Sequence, residues 1–337
     1  MKKKIWIVFA VIVCCALLAP SVSMAAPEHK WRMAQIHPVD SDYDVRAKEF
    51  ARKVGERTNG RIQIDVFSGG VLGDWTETSE MLSQGILEMN LAQANSNLDP
   101  KLNLAYYFPY LVKDPAEAQR VYGKDGWAYK IIQDLWEAHN VKALAVIPLG
   151  MSGVSLKEKP ANYGEPGPKN MKVRVMPLKP CQLTYEAMGY TAVPIPYAEA
   201  YSAIQTGAAD GQMGGPPFQA WQFKDVNKVW IQYNDYFESW WISINLDLWN
   251  KLSPGDQQII QTAALEESAI QWERSEAEDE KYRQMLKNEY GWEVVILTPA
   301  ELTKIADHVR KTVWPQMEEL VGKDLMDRVY KESGIAR

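Results

Sequence analysis

Cysteine is nearly absent. Three stand in 337 residues, and two of them, Cys14 and Cys15, lie inside the apolar run near the start. Cys181 is then alone, so no internal disulfide is available and the fold rests on its core. Histidine is equally scarce. His29, His37, His139 and His308 are all there are, and none stands at metal-ligand spacing with a cysteine or an acid. That argues against the common zinc patterns, and the expectation is no metal and no cofactor. Positive charge is in deficit too. With 37 Lys and Arg against 43 Asp and Glu, the net charge is −6, without the footprint of a nucleic-acid or anionic-lipid binder. The run "SGGVLG" (68–73) lacks the lysine and serine of a phosphate loop, and no nucleophile elbow surrounds any serine. The expectation is a protein without catalysis, with an enzyme of scattered active-site residues as a rival reading.

After the first residues, no stretch is apolar enough to span a membrane. The opening "MKKKIWIVFAVIVCCALLAPSVSMAA" has three lysines, an apolar run and then small residues, the layout of a secretory signal peptide. Ser23 and Ala25 fit the −3 and −1 positions of a cut before Ala26. As an anchor, Ile5–Leu18 falls short of the ~20 residues a span needs. As a lipoprotein signal it is poor, because Val13 is not the small residue expected before Cys14. Export to a periplasm-like space follows. Residues 1–25 hold three lysines and no acid, so their removal takes the net charge from −6 to −9. The remaining length is too great for one ordinary core and predicts two lobes.

What is present is alternating strand and helix. "HKWRMAQIHP" reads as a strand, and "DSDYDVRAKEFARKVGERTNG" as a helix with Val45, Phe50 and Val54 on one face and "TNG" as its stop. "RIQIDVF" has strand period, "SGGVLGDW" is a turn, "TETSEMLSQG" a short helix and "ILEMNLAQ" a strand. A second α/β run follows: "VKALAVIPL", "MKVRVM", "TAVPIP" and "AADGQM" as strands, "LTYEAMG" and "YAEAYSAIQTG" as helices. "ESWWISINLDLWNKL" returns to strand and then helix. From Ser253 as cap and Pro254 at the first position, one helix is predicted to run to Tyr290, long enough to bridge two lobes.

Four stretches carry a resemblance. "TNGRIQIDVFSGGVLG", "KNMKVRVMP", "MGYTAVPIPYAEAYSAIQTGAADGQ" and "WNKLSPGDQQIIQTAALE" come in the order and spacing found in solute receptors of tripartite ATP-independent periplasmic (TRAP) transporters. The chain is similar to that DctP family over roughly residues 30–330. The resemblance implies a two-lobed α/β periplasmic-binding-protein fold, with open mixed sheets, crossing strands and a long bridging helix. The expected division is 26–149 plus 236–272 for lobe I, and 150–235 plus 273–337 for lobe II. It also implies a carboxylate ligand in the inter-lobe cleft and a TRAP permease as membrane partner. A sensor module signalling to a membrane receptor is the rival from another class.

The family's "(L/M)K(I/V)R" strand places an arginine on the ligand carboxylate, and here that residue is Arg174. A guanidinium fork fits a carboxylate bidentately, as lysine cannot. Lys172, two residues earlier, is expected to be solvated or packed on its lobe. Other matched positions depart from the pattern. Trp75 stands in "LGDW", Gln93 where sialic-acid receptors have a glutamate, and Tyr197 where an aromatic covers the ligand. "DGQMGGP" replaces the common "DGQENP", so Gln212 is kept, Met213 is new and Gly214 takes the place of a carboxylate-binding asparagine. A second arginine common in the family would fall at Gly153. Together with Phe218, Trp240 and Trp241, these changes predict a monocarboxylate with an aromatic or hydrophobic tail. The alternative is a sugar acid or a small hydroxy or keto acid. "SWWISI" alternates, so one of Trp240 and Trp241 is expected to face the cleft.

Overall fold

The computed structural model describes residues 26–337; the expected signal peptide lies outside the described residues. The strands are β1 (His29–Gln35), β2 (Ile62–Phe67), β3 (Met89–Ala92), β4 (Val141–Met151), β5 (Val154–Leu156), β6 (Lys172–Val175), β7 (Thr191–Pro194), β8 (Gly211–Met213), β9 (Val229–Gln232), β10 (Phe237–Asn245) and β11 (Glu293–Ile296). They form two mixed sheets, ordered β2-β1-β3-β10-β4 and β11-β9-β5-β8-β6-β7. In the first, β1 runs parallel to β2 and β3, while β10 is antiparallel to β3 and β4. In the second, β6 is parallel to β7 and β8, and β5 is antiparallel to β8 and β9.

The first helix, Asp42–Arg57, is capped by Ser41, whose hydroxyl accepts from the Asp44 amide. It buries Tyr43, Ala47, Phe50, Ala51 and Val54, a stripe at i, i+4 and i+7 spacing. Val45, expected on this face, sits off the stripe and is only half-buried. Phe50 and Val54 are fully buried against Trp31, Met33, Ile62 and Ile64, each contributing about 1.5–3 kcal/mol by removal from water.

The long helix spans Pro254–Asn288, close to the expected extent, with Ser253 as its cap. It packs on β4 and on the Asp42–Arg57 helix at one end, and on β11 and the Pro217–Gln222 helix at the other. Its buried Glu267 takes Arg46 Nη1 and Lys53 Nζ, each at 2.7 Å, which fixes its angle to the first lobe. Between Ala92 and Val141 lie a 3-10 turn (Pro100–Ala105) and helices Pro115–Tyr122 and Trp127–Glu137. The C-terminal part is helical over Pro299–Val321 and Lys323–Ser333.

Two short connections join the sheets. Ser152 and Gly153 carry the chain from β4 to β5, and residues 233–236 return it from β9 to β10. They are pinned to each other: Ser152 N donates to Tyr236 O at 2.9 Å, and Asn234 N to Ser152 O at 2.9 Å. Ser152 Oγ donates to Asp235 Oδ1 at 2.7 Å and accepts from the Tyr236 amide at 2.9 Å. Asp235 is fully buried, so Ser152→Ala strips a donor from a carboxyl group that water cannot reach. The expected result in urea unfolding is a loss of about 1–3 kcal/mol.

Candidate ligand-binding site

Arg174 lies in β6, directly opposite Gln212 in β8. In β6, Lys172 and Arg174 alternate with Val173 and Val175, yet only Lys172 is wet. Lys172 is exposed, whereas Arg174 is 1 % exposed, as buried as the two valines. Its Nε donates to the Ile195 carbonyl at 2.7 Å, which aims the guanidinium. Nη1 and Nη2 are buried and have no hydrogen-bond partner. Burial lowers the Arg174 pKa, yet arginine keeps its charge in proteins, so this is a dry cation without a paired acid.

Around it the chain gathers polar atoms in the same condition. Both amide atoms of Gln212 are buried and unpartnered, as are Oε1 of Gln219 and the hydroxyl of Tyr106. Tyr197, the first residue of the helix Tyr197–Thr206, sets its ring 5.6 Å from the Arg174 guanidinium carbon, and its hydroxyl donates to Gln222 Oε1 at 2.8 Å. After β8, Gly214 and Gly215 adopt φ of +95° and +74°, a double left-handed step that favours glycine. The step clamps the turn to the crossing strand, with Gly214 N donating to Gly153 O at 2.9 Å. A Cβ at Gly214 would stand 3.8 Å from Gln219 Oε1 and 4.0 Å from the Tyr106 hydroxyl, so this position faces both unpartnered groups.

The tyrosines form a wall. Tyr106 and Tyr107 rings are 4.1 Å apart, and Tyr236 meets each edge-on at 6.2 Å. Tyr107 donates to Oε1 of Gln93, just past β3, at 2.8 Å, and so holds Gln93 against the seam between the sheets. Cys181 is buried beside this group, and burial pushes its thiol up.

Not every expected residue joins the cluster. Trp75 opens the helix Trp75–Ser83 behind the cap of Asp74 and is half-buried against the main core. Met213 is buried in that same core. β10 is buried on both faces, so Trp240 and Trp241 point into opposite layers. Trp240 packs at a tilt against His37, ring centroids 4.1 Å apart, in the core under the first sheet, where Phe218 also packs, 5.7 Å from Tyr43. Trp241 meets Tyr129 at 5.4 Å in the other layer.

Glu238 was missed by sequence reasoning. It sits in β10 opposite Gly150, is 3 % exposed, and its Oε1 accepts from the Trp240 indole at 3.2 Å. Oε2 has no partner. Burial pushes its carboxyl up to about 7, against the opposing pull of the Trp240 indole and the nearby Tyr106 hydroxyl. The signal was legible: one acid in the otherwise apolar "FESWWISI". Gln219, Tyr106 and Tyr107 carried no comparable mark. Hollows on the surface, by Tyr190 and His308, by Trp272, and by Trp314, lie away from this cluster.

An unpaired guanidinium ringed by free amide and hydroxyl groups between two sheets can do one thing well, which is to hold an anion. The profile of bacterial extracellular solute-binding protein, family 7 (DctP), matches residues 33–320. The chain belongs to this family. The family is one of extracytoplasmic transport receptors, not enzymes, and its members take small acids and work with a membrane permease. Among relatives, the ectoine-binding periplasmic protein TeaA of Halomonas elongata is 27 % identical, over 72 % of this chain and 71 % of that one. A TRAP periplasmic solute binding protein from Roseobacter denitrificans with bound β-D-glucuronate superposes with a TM-score of 0.81 at 23 % identity, covering 91 % of this chain and 100 % of that one. One from Desulfovibrio salexigens with bound orotic acid gives 0.81 at 21 % identity, covering 90 % and 98 %. The fold of this family 7 protein is therefore the two-lobed α/β fold of TRAP receptors. No helix among the described residues is long and apolar enough to cross a membrane.

Proposed function

We propose that this receptor captures an organic monocarboxylate between its lobes, with the carboxylate on Arg174, and delivers it to a TRAP permease. One observation carries the reading: Arg174 is buried, aimed by Ile195, and keeps both terminal nitrogens free. A bidentate carboxylate satisfies both at once, in a dry setting where the attraction is strong. The expected division into lobes of 26–149 plus 236–272 and 150–235 plus 273–337 puts the crossing segments at their junctions. Bending there would open the interior to solvent, and closure on ligand would present one shape to the permease.

The walls support a flat or apolar body for the ligand, because Tyr106, Tyr107 and Tyr197 offer rings beside the cation. Trp75 packs at the edge of the core, outside the cluster. Trp240, Trp241 and Phe218 shape it only from behind. A sugar acid is the second reading, favoured by the free amide atoms of Gln212 and the free oxygen of Gln219, which suit hydroxyl groups. A relative with bound β-D-glucuronate and one with bound orotic acid make both worth testing. A thermal-shift and calorimetry panel of aromatic monocarboxylates and hexuronates decides. Saturation by an aromatic acid at a hundred times its Kd is expected to stabilise the protein by about 2.7 kcal/mol. A response to hexuronates alone selects the sugar acid, and a response to no carboxylate rejects the function.

A further inference from the structure

The proposed carboxylate site leaves a second dry group unexplained. Glu238 is as enclosed as Arg174, yet no salt bridge joins it to any cation among the described residues, and its Oε2 meets no donor. The Tyr106 hydroxyl is close enough to act on the carboxyl, but it is itself unpartnered and carries no charge. As an ion, Glu238 is therefore incomplete without a countercharge from outside the chain.

The surroundings say what the partner carries. Tyr43 from the first helix, Tyr106 and Tyr107 from the wall, Tyr197 from the second lobe and Asp279 from the long helix all lie within electrostatic range of Glu238. None is a cation. Asp279 is itself buried, reaching within 2.8 Å of where a Cβ on Gly150 would stand, and Gly150 is the strand neighbour of Glu238. The cation nearest Asp279 in effect, Arg283, is already engaged by Glu276 at 2.8 Å and Glu280 at 2.9 Å. His37, behind Trp240, is held neutral by burial. The corner is thus short of positive charge. Arg174 and Glu238 do not pair, yet Tyr107 and Tyr197 each feel both, so the two charges serve the same tyrosine wall.

We infer that Glu238 recognises a cationic nitrogen, so that the ligand is a zwitterion with its carboxylate on Arg174 and its nitrogen at the far end of its body. This rests on the carboxylate reading above and narrows it. A neutral hydroxyl could donate to Glu238 but would leave the local charge unbalanced; a protonated nitrogen supplies both the donor and the countercharge.

The test uses matched probes in calorimetry: 4-(aminomethyl)benzoate, 6-aminohexanoate and 4-aminobutanoate against 4-methylbenzoate, hexanoate and butanoate. At about pH 8, at least one amino acid of the series is expected to bind about tenfold or more tightly than its neutral counterpart. The preference should shrink toward pH 5.5, because Glu238 takes up a proton while both probe groups keep their charges. In Glu238→Gln, shown to be folded by urea unfolding, the preference should fall to about threefold or less. Neutral acids binding as well as the amino acids, or a preference that survives both the variant and the acid shift, overturns the inference. Binding of neutral acids alone sinks Glu238 and spares Arg174; binding of neither series overturns the inference, and only a further failure of the hexuronates sinks the carboxylate reading itself.

Discussion

Arg174→Ala is expected to cost about 3–5 kcal/mol of ligand affinity, roughly a hundred-fold to a few thousand-fold, measured by calorimetry with whichever acid the panel identifies. The size follows from where the pair is made. A carboxylate that reaches the interior gives up its water, and without the guanidinium nothing in the chain replaces that water. Arg174→Lys should recover only part of the loss. An ammonium is a point charge that cannot donate to the Ile195 carbonyl and at the same time present a two-pronged face to the ligand. The free protein should respond in the opposite sense. Arg174→Met keeps most of the volume and removes a buried charge whose terminal nitrogens are unsatisfied, so its stability in urea should equal or exceed that of the parent. Affinity lost with stability kept marks a binding residue. Unchanged affinity in Arg174→Ala would remove the residue from the site.

The second large effect is on stability against pH, and the buried acids set its sign. Burial raises Asp235 from 3.8 to about 6 and Glu238 from 4.5 to about 7, and it raises Asp279 well above its ordinary value. In each case the folded protein holds a proton that the unfolded chain releases, so stability falls as pH rises from the unfolded value through the folded one. Asp235 and Glu238 together set a ceiling of about 6 kcal/mol, since each pKa unit is worth ~1.4 kcal/mol. His37 acts from the other side. Burial lowers it from 6.5 to about 3, so the neutral ring contributes stability that is lost as pH falls through that interval. The acids outweigh one histidine above pH 5. Urea unfolding from pH 4 to 9 should show a maximum near pH 5 and a decline of several kcal/mol by pH 8. Glu238→Gln and Asp235→Asn should each flatten the decline. A profile that is level or rising between pH 5 and 8 contradicts the account.

Much of the fold could be read from the chain because its elements are locally consistent. "RIQIDVF" alternates and is β2; "SPGDQQ" announces the start of the long helix, with Ser253 and Pro254 placed as expected. Arg174 was visible as a charge in a short apolar strand, although its enclosure was not. That depends on β8 and the Tyr197 helix closing over it, which no window of sequence records. The same limit governs the aromatics. "SWWISI" shows two tryptophans, but whether they meet ligand depends on what covers each face of β10, and both faces turn out to be core. Tyr106 and Tyr107 lie in a segment without period and come to the site through tertiary contacts alone. Glu238 was legible as a single acid two residues before the tryptophan pair of an otherwise uncharged strand.

The order of strands has a consequence for how the molecule comes into being. β10 lies between β3 and β4, so the first sheet stays in two pieces, each with an open flank, until residue 245 has been made. The second sheet waits for β11, which ends at Ile296. The first sheet therefore cannot close until β5 to β9 of the second have been translated, and the second closes last of all. A polypeptide truncated before β10 is complete has no finished sheet to fall back on.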